Sequence, residues 1–595
     1  MLGPLFRREL VIAPRRSRLY TSRTVFTVMF LILTATAWLI LSGSQHVRDL
    51  GDMARFGKTL FAILAPLQLV LAMFFSAIFS AGNVSQEKDR NTLVLLLMTR
   101  MNSAELMLGK LAASLVHLLS NFLAVFPVFF AILCFGGVDL KQLGQCFLIT
   151  GCTILLCGTL GTFLAFWREQ TFQALATAVL VLVVWLAVGE AVPANWSTTI
   201  SPWRAMLAVT GAVGGQAGAA LPFAAFALTT AFVLCAWGIL RVRAWNIGDK
   251  NRTREDRAIS KEKTAETTEA VEPAEQTVAE GTATQPAAKA GKSVHALKPA
   301  RRMWNNPILW REVRTHAYGR RAFWVRVAFV LIFAAAAIVT HLTLNSFQLT
   351  FYQENQEAAL WAMKTFLPLA LLGLVLVNAQ AVTAITGERS NRAIDLLLVT
   401  TLTPKEILFG KLGGVFWNTR EMVVLPLAFL LYFGWRGLFS VEITAYLFLG
   451  LCVLYVFSAM LGIHAGMTYA ANRSAIGVSL GTLFFLFVGV AVCLRMMLSL
   501  GGSFHAQLQP FLAFMVGGGV ALYLALGVRN PSSAIGLASF LCPFATFYAM
   551  SALMMNYTLG VFLVVAVTYG FATAAMLIPA LSEFDIAMDV EGRAD

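Results

Sequence analysis

The feature that most constrains this chain is a succession of apolar runs, many near or above the ~20 residues that a helix needs to cross a bilayer. Val25 to Leu41 is the first, and comparable runs recur as far as about residue 580. In lipid every backbone N–H and C=O must be satisfied within the protein, so such runs fold as helices or as closed barrels. The period-2 alternation of barrel strands is absent, which leaves an all-α polytopic membrane protein. Composition agrees: 58% of the 595 residues are hydrophobic and 13% are charged, with a mean hydropathy of +0.72. A soluble protein carries about a quarter charged residues.

The spans fall into two sets. The first is expected near residues 25–41, 58–82, 107–134, 143–167, 172–192 and 221–240. The second is expected near 324–342, 362–386, 411–433, 443–470, 475–499 and 558–580. An insertion in the second set brings two more apolar stretches, 510–528 and 535–555, so the total is 12 spans, or 14 if this extra pair crosses. Between the sets, residues 246–303 hold almost no large apolar side chain and read as a disordered cytosolic linker. The division is therefore a first repeat over 1–245, the linker over 246–303, and a second repeat over 304–595. Gly291-Lys-Ser293 in the linker looks like the end of a phosphate-binding loop. Pro286 stands where that motif needs its first glycine, however, and no strand precedes it.

The evidence for duplication is a polar stretch before the third span. Residues 87–111, EKDRNTLVLLLMTRMNSAELMLGKL, return at 388–412 as ERSNRAIDLLLVTTLTPKEILFGKL, with an offset of 301 and no gap. Identical pairs are Glu87/Glu388, Leu95/Leu396, Leu96/Leu397, Leu97/Leu398, Thr99/Thr400, Glu105/Glu406, Gly109/Gly410 and Lys110/Lys411. Shared leucines follow from membrane composition alone; the glutamates and the Gly-Lys pair do not. Before the first span of each set, GPLFRREL and NPILWREV share Pro4/Pro307, Arg8/Arg311 and Glu9/Glu312, consistent with an amphipathic helix along the cytoplasmic face.

The net charge of +14 resides mostly in Lys and Arg beside the spans. It orients the helices with basic loops inside and does not point to nucleic acid. Amino terminus, linker and carboxyl terminus are then cytosolic, in a cytoplasmic (inner) membrane of bacterial type. Eight cysteines are scattered with no CxxC spacing, so neither a metal site nor a disulfide framework follows. No catalytic constellation and no complete nucleotide-binding motif is present.

Ionisable and strongly polar side chains inside spans are costly and carry information. His117, Ser120 and Asn121 share one face of the third span; at the same offset stand Asn418, Arg420 and Glu421. Arg420 lies roughly 13 Å beyond Lys411 at ~1.5 Å per residue. Two readings are open: a structural pairing of Arg420 with Glu421 or another helix that fixes the halves together, or a lining for the path of a polar or amphipathic substrate. The spacings Gly410/Gly414, Gly462/Gly466 and Gly477/Gly481 allow helices to approach closely.

The paired stretch resembles the cytoplasmic loop of the ABC-2 permease family, the membrane subunits of ABC-type exporters. An acidic residue ends the second span, leucines and a threonine follow, and Glu-x-x-x-Gly-Lys opens the third. Ser201-Pro202 is similar to the family's segment before its last span, and Cys542-Pro543 keeps the proline. The resemblance implies two ATPase-docking loops, Glu87 to Lys110 and Glu388 to Lys411, with the charged edge at Glu87, Lys88, Asp89 and Arg90 and the leucines facing the partner. It also implies two separate ABC ATPase subunits that bring ATP and Mg, no cofactor held by this chain, and membrane lipid as surroundings. A secondary transporter and a non-transporting membrane scaffold are the rival expectations.

Overall fold

A computed structural model of the chain describes residues 17–44, 49–89, 92–99, 101–168, 170–211, 218–268, 306–314, 322–346, 352–390, 399–500, 504–527, 531–555 and 557–582, with single positions 6, 304, 394 and 397. Every regular element among them is a helix. The first half contains α1 (Ser17–Ser44), α2 (Leu50–Asp89), α3 (Thr92–Met98), α4 (Ser103–Ala124), α5 (Phe126–Cys134), α6 (Leu140–Trp167), α7 (Thr171–Ala191), α8 (Ala194–Ile200), α9 (Pro202–Val209) and α10 (Ala220–Thr268). The second contains α11 (Pro307–Arg314), α12 (Ala322–Ser346), α13 (Tyr352–Ser390), α14 (Pro404–Asn418), α15 (Arg420–Trp435), α16 (Val441–Thr468), α17 (Asn472–Leu500, with a π turn at Phe485–Gly489), α18 (Phe504–Leu526), α19 (Ser533–Met554) and α20 (Thr558–Ser582).

Among the described residues, thirteen helices are long and apolar enough to cross a membrane. The pair α14 and α15, bent by 63°, makes a fourteenth if it is one span. Both helices of the insertion, α18 and α19, belong to this set, so the count is 13 to 14 against the expected 12 or 14. It is an all-α polytopic integral membrane protein.

The halves are packed alike. In the first, α2 and α10 both lie along α6; in the second, α13 and α20 lie along α16. Glycine sets the closeness of several of these contacts. A Cβ on Gly161 would fall 2.3 Å from the Ala77 carbonyl oxygen, and one on Gly462 would fall 2.6 Å from Ala381 Cβ. Of the three small-residue spacings, Gly410/Gly414 and Gly462/Gly466 mark close approaches. In the third, Gly477 meets the Phe79 ring while Gly481 faces open space.

The halves meet reciprocally. Helix α7 packs on α12 and α13, while α17 packs on α1 and α2. Phe484 of α17 lies 6.1 Å from both Phe74 and Phe75 of α2. One apolar core runs through the seam, joining Ile78, Phe166 and Phe172 to Leu376, Val382 and Met460. The insertion breaks the symmetry, because α18 lies along α1 and thickens one seam only.

Two features depart from the sequence reading. Helix α10 continues to Thr268, 22 residues past the end of its apolar span at Asn246, and the rest of the linker lies outside the described residues. The continuation is rich in Arg, Lys, Glu and Ala, which favour helix without any need to be buried. The two prolines also differ in role. Pro202 opens α9, with the Ser201 side chain capping it at 3.4 Å from Arg204 N, whereas Pro543 lies inside α19.

Candidate functional site

Each half presents the same local construction at one end of its bundle. After the second span the chain makes a short leucine-rich segment, closed by a threonine whose hydroxyl donates to a carbonyl three residues back: Thr99 to Leu96 O and Thr400 to Leu397 O, both at 2.6 Å. The third span then opens with a capping box. Glu105 Oε2 accepts from Asn102 N at 3.2 Å, and Glu406 Oε2 accepts from Thr403 N at 2.9 Å. These two glutamates therefore satisfy helix-start N–H groups that would otherwise lack partners. They fix where the third span begins.

The remaining charged pair turns inward. Lys110 is paired with Glu87, and only 8% of its side chain is exposed. In the second half Lys411 lies 2.6 Å from Glu388 Oε1 and 2.5 Å from Glu312 Oε1, while Arg311 also pairs with Glu388. Lys411 and Glu312 are almost completely buried, at 2% and 1% of their side chains. Glu312 and Arg311 come from α11, so this network ties the amphipathic helix to the second and third spans. The equivalent Arg8 and Glu9 lie outside the described residues.

Helix α11 rests on α14 because glycines leave room for it. Added Cβ atoms would lie 2.8 Å from Asn306 Oδ1 at Gly410, 2.9 Å from Leu309 Cδ1 at Gly413, and 2.8 Å from Glu312 Cβ at Gly414. Asn306 Oδ1 accepts from the N–H groups of Ile308 and Leu309, starting α11, and Asn306 Nδ2 donates to Glu406 O at 2.8 Å. Gly109 is buried on the corresponding face of α4. Gly410→Val is expected to displace α11 and cost about 1–3 kcal/mol. Thermal unfolding in detergent, with Gly481→Val as the control whose Cβ meets nothing, checks this.

Of the expected charged edge, Glu87 turns to an internal partner; Glu388, Lys110 and Lys411 are internal ties in the same way, because a desolvated charge must be paired within the protein. Lys88 likewise donates to Phe166 O at 2.6 Å and Arg168 O at 2.7 Å, closing the end of α6. Its equivalent, Arg389, donates to Tyr469 O at 3.2 Å and Met467 O at 3.1 Å at the end of α16. Sequence comparison at the 301 offset passed over this pair because it matches in charge and not in identity. The side chain of Asp89, and Arg90, Leu396 and Leu398, lie outside the described residues.

Apolar side chains are what the loops present. Leu95, Met98 and Val399 are exposed, the last two by 80% and 87%, while Leu96 and Leu97 pack partly against the core, as does Leu397. Met98 and Val399 stand at the same offset of 301 and close the leucine segment in each half. The sequence held that signal as position without identity.

The intramembrane polar residues form a second repeated arrangement. Arg23 of α1 donates through Nε to Ser120 Oγ at 3.0 Å, and Ser120 donates to His117 O at 2.8 Å; Asn121 follows on the same helix. In the second half, Arg326 of α12 donates to Asn418 Oδ1 at 2.8 Å and lies 3.8 Å from Glu421, which also pairs with Arg420 at 3.0 Å. Arg420 is half exposed and lies over Trp417, with 4.8 Å to the ring centroid. The structural pairing of Arg420 with Glu421 is present. Its further partner, Arg326, belongs to the same half, so the cluster joins the first span to the break in the third and does not join the halves. On the opposite face Arg204 donates twice to Glu190, at 2.9 and 2.8 Å, fastening α9 to the end of α7.

Compared with known families, residues 2–209 match the model described as ABC-2 type transporter. No curated protein matches the chain.

Proposed function

We propose, from the match of residues 2–209 to the ABC-2 type transporter model, that the chain is a permease that works with separate ATPase subunits, one docking on each paired loop, and exports its substrate. The observation that carries the reading is the pair of exposed apolar side chains, Met98 and Val399, at equivalent positions. Each is held by a threonine-closed turn and an internally neutralised support. An apolar side chain on a short loop is a natural anchor for a groove on another protein.

In this account, ATP and Mg are bound by the partner, and two nucleotide-binding domains close on each other during the cycle. The ion-pair network makes α11, α13 and α14 move as one body, so a push on the loop reaches the spans that line the seam. Tandem repeats over 1–245 and 304–595 supply both halves of the pathway from one chain, in a cytoplasmic membrane with the loops, linker and termini in the cytosol. The reciprocal packing of α7 and α17 supports that division.

The test is transport by inside-out vesicles containing the chain and its ATPase. Uptake that requires ATP and stops with vanadate is expected. Uptake driven by an ion gradient without ATP would overturn the reading in favour of a secondary transporter.

A further inference from the structure

The two halves differ where α1 meets α4 and α5. Arg23, Thr27, Leu31, Thr34 and Trp38 share one face of α1, and Ser120, Ala124, Val128, Ala131 and Phe135 run beside them. An apolar groove of about 460 Å³ lies between the helices, lined by Thr27, Leu31, Trp38, Val128, Ala131 and Phe135 among others. Stacking of Trp38 on Phe135, with centroids 5.4 Å apart, marks its far end. From Thr27 to Trp38 the helix rises ~16 Å, about half the ~30 Å hydrocarbon thickness of a bilayer. Arg23 stands one turn before the groove begins.

The second half fills the same place. At the offset of 301, Val128 and Ala131 become Phe429 and Tyr432. Phe429 packs edge-on to Phe333 at 5.3 Å, and the Tyr432 hydroxyl lies 2.7 Å from His341 Nδ1. The charge is also answered there: Ser120 becomes Glu421, a carboxylate beside Arg326. In the first half the guanidinium of Arg23 meets the Ser120 hydroxyl instead. Among the described residues, volume and negative charge are thus both supplied internally in one half and neither in the other.

We propose that this seam holds one anionic phospholipid, its phosphate at Arg23 and Ser120 and an acyl chain in the groove. A groove open to the bilayer beside spans is covered by hydrocarbon, and a cation at its mouth selects the headgroup. The site depends on the chain being embedded in a membrane and not on ATPase docking, so its failure and that of the transport reading are separable.

The experiment places the full-length protein in mixed micelles with equal phosphatidylglycerol and phosphatidylcholine and counts bound lipid by native mass spectrometry. Each variant copies the second half's own solution. Ser120→Glu is expected to lower the preference for phosphatidylglycerol at least fivefold while phosphatidylcholine binding persists. Ala131→Tyr is expected to remove bound lipid of both kinds. Lipid retention and preference unchanged in both variants would overturn the proposal. Displacement of phosphatidylglycerol by millimolar inorganic phosphate would do so too, by showing a site for soluble anions.

Discussion

Lys411→Met is expected to destabilise the protein by about 3–5 kcal/mol, the usual cost of removing one partner from a buried ion pair. The loss leaves Glu312 and Glu388 facing each other beside Arg311 alone, with Glu312 out of reach of water. Thermal unfolding in detergent is the measurement. Lys110→Met should cost less, because Glu87 is 22% exposed and can recover hydration. The triple variant Lys411→Met, Glu312→Gln, Glu388→Gln should regain most of the stability, since it removes the charges together. Equal losses in Lys411→Met and in the triple variant would show that the site is held by packing and not by charge.

The second large effect is on coupling. Met98→Asp with Val399→Asp is expected to reduce ATP-driven transport more than tenfold while leaving the fold intact. Both side chains are largely exposed, and substitutions at such positions usually change stability by under ~0.5 kcal/mol. A buried carboxylate at the docking contact would be costly to desolvate. Each single variant should retain part of the activity, because the other loop still engages. Unchanged transport and unchanged ATPase co-purification in the double variant would move the docking surface elsewhere.

Much of the fold was legible because lipid leaves so few solutions. Apolar runs located the spans, including the inserted pair now seen as α18 and α19, and the constant offset located the paired loops. The roles of their charges were not legible. Glu87 and Glu105 look equally surface-like in sequence, yet one pairs inward with Lys110 and the other closes a capping box. The capping role had a signal in Asn102-x-x-Glu105 and Thr403-x-x-Glu406. The inward pairing had none, because Glu87 and Lys110 meet only once the second and third spans pack together.

Arg23 and Arg326 show the other limit. They are 303 residues apart, as are Glu9 and Glu312, so a shift of two residues separates the first-span register from that of the loops. A comparison held to 301 misses their equivalence, and with it the contacts to Ser120 and Asn418. The bend of 63° between α14 and α15 falls at Asn418-Thr-Arg-Glu421, the polar interruption of the apolar run 411–433.

Cross-linking from the loop tips tests the central claim most directly. With Met98→Cys and Val399→Cys introduced separately, a short maleimide–benzophenone linker, thioether-bonded to the new cysteine and photo-inserted into C–H bonds of the neighbour, should join each variant to one ATPase subunit, and ATP with vanadate should change the yield. No adduct with an ATPase from either position, in complexes that still hydrolyse ATP, would contradict docking at the paired loops.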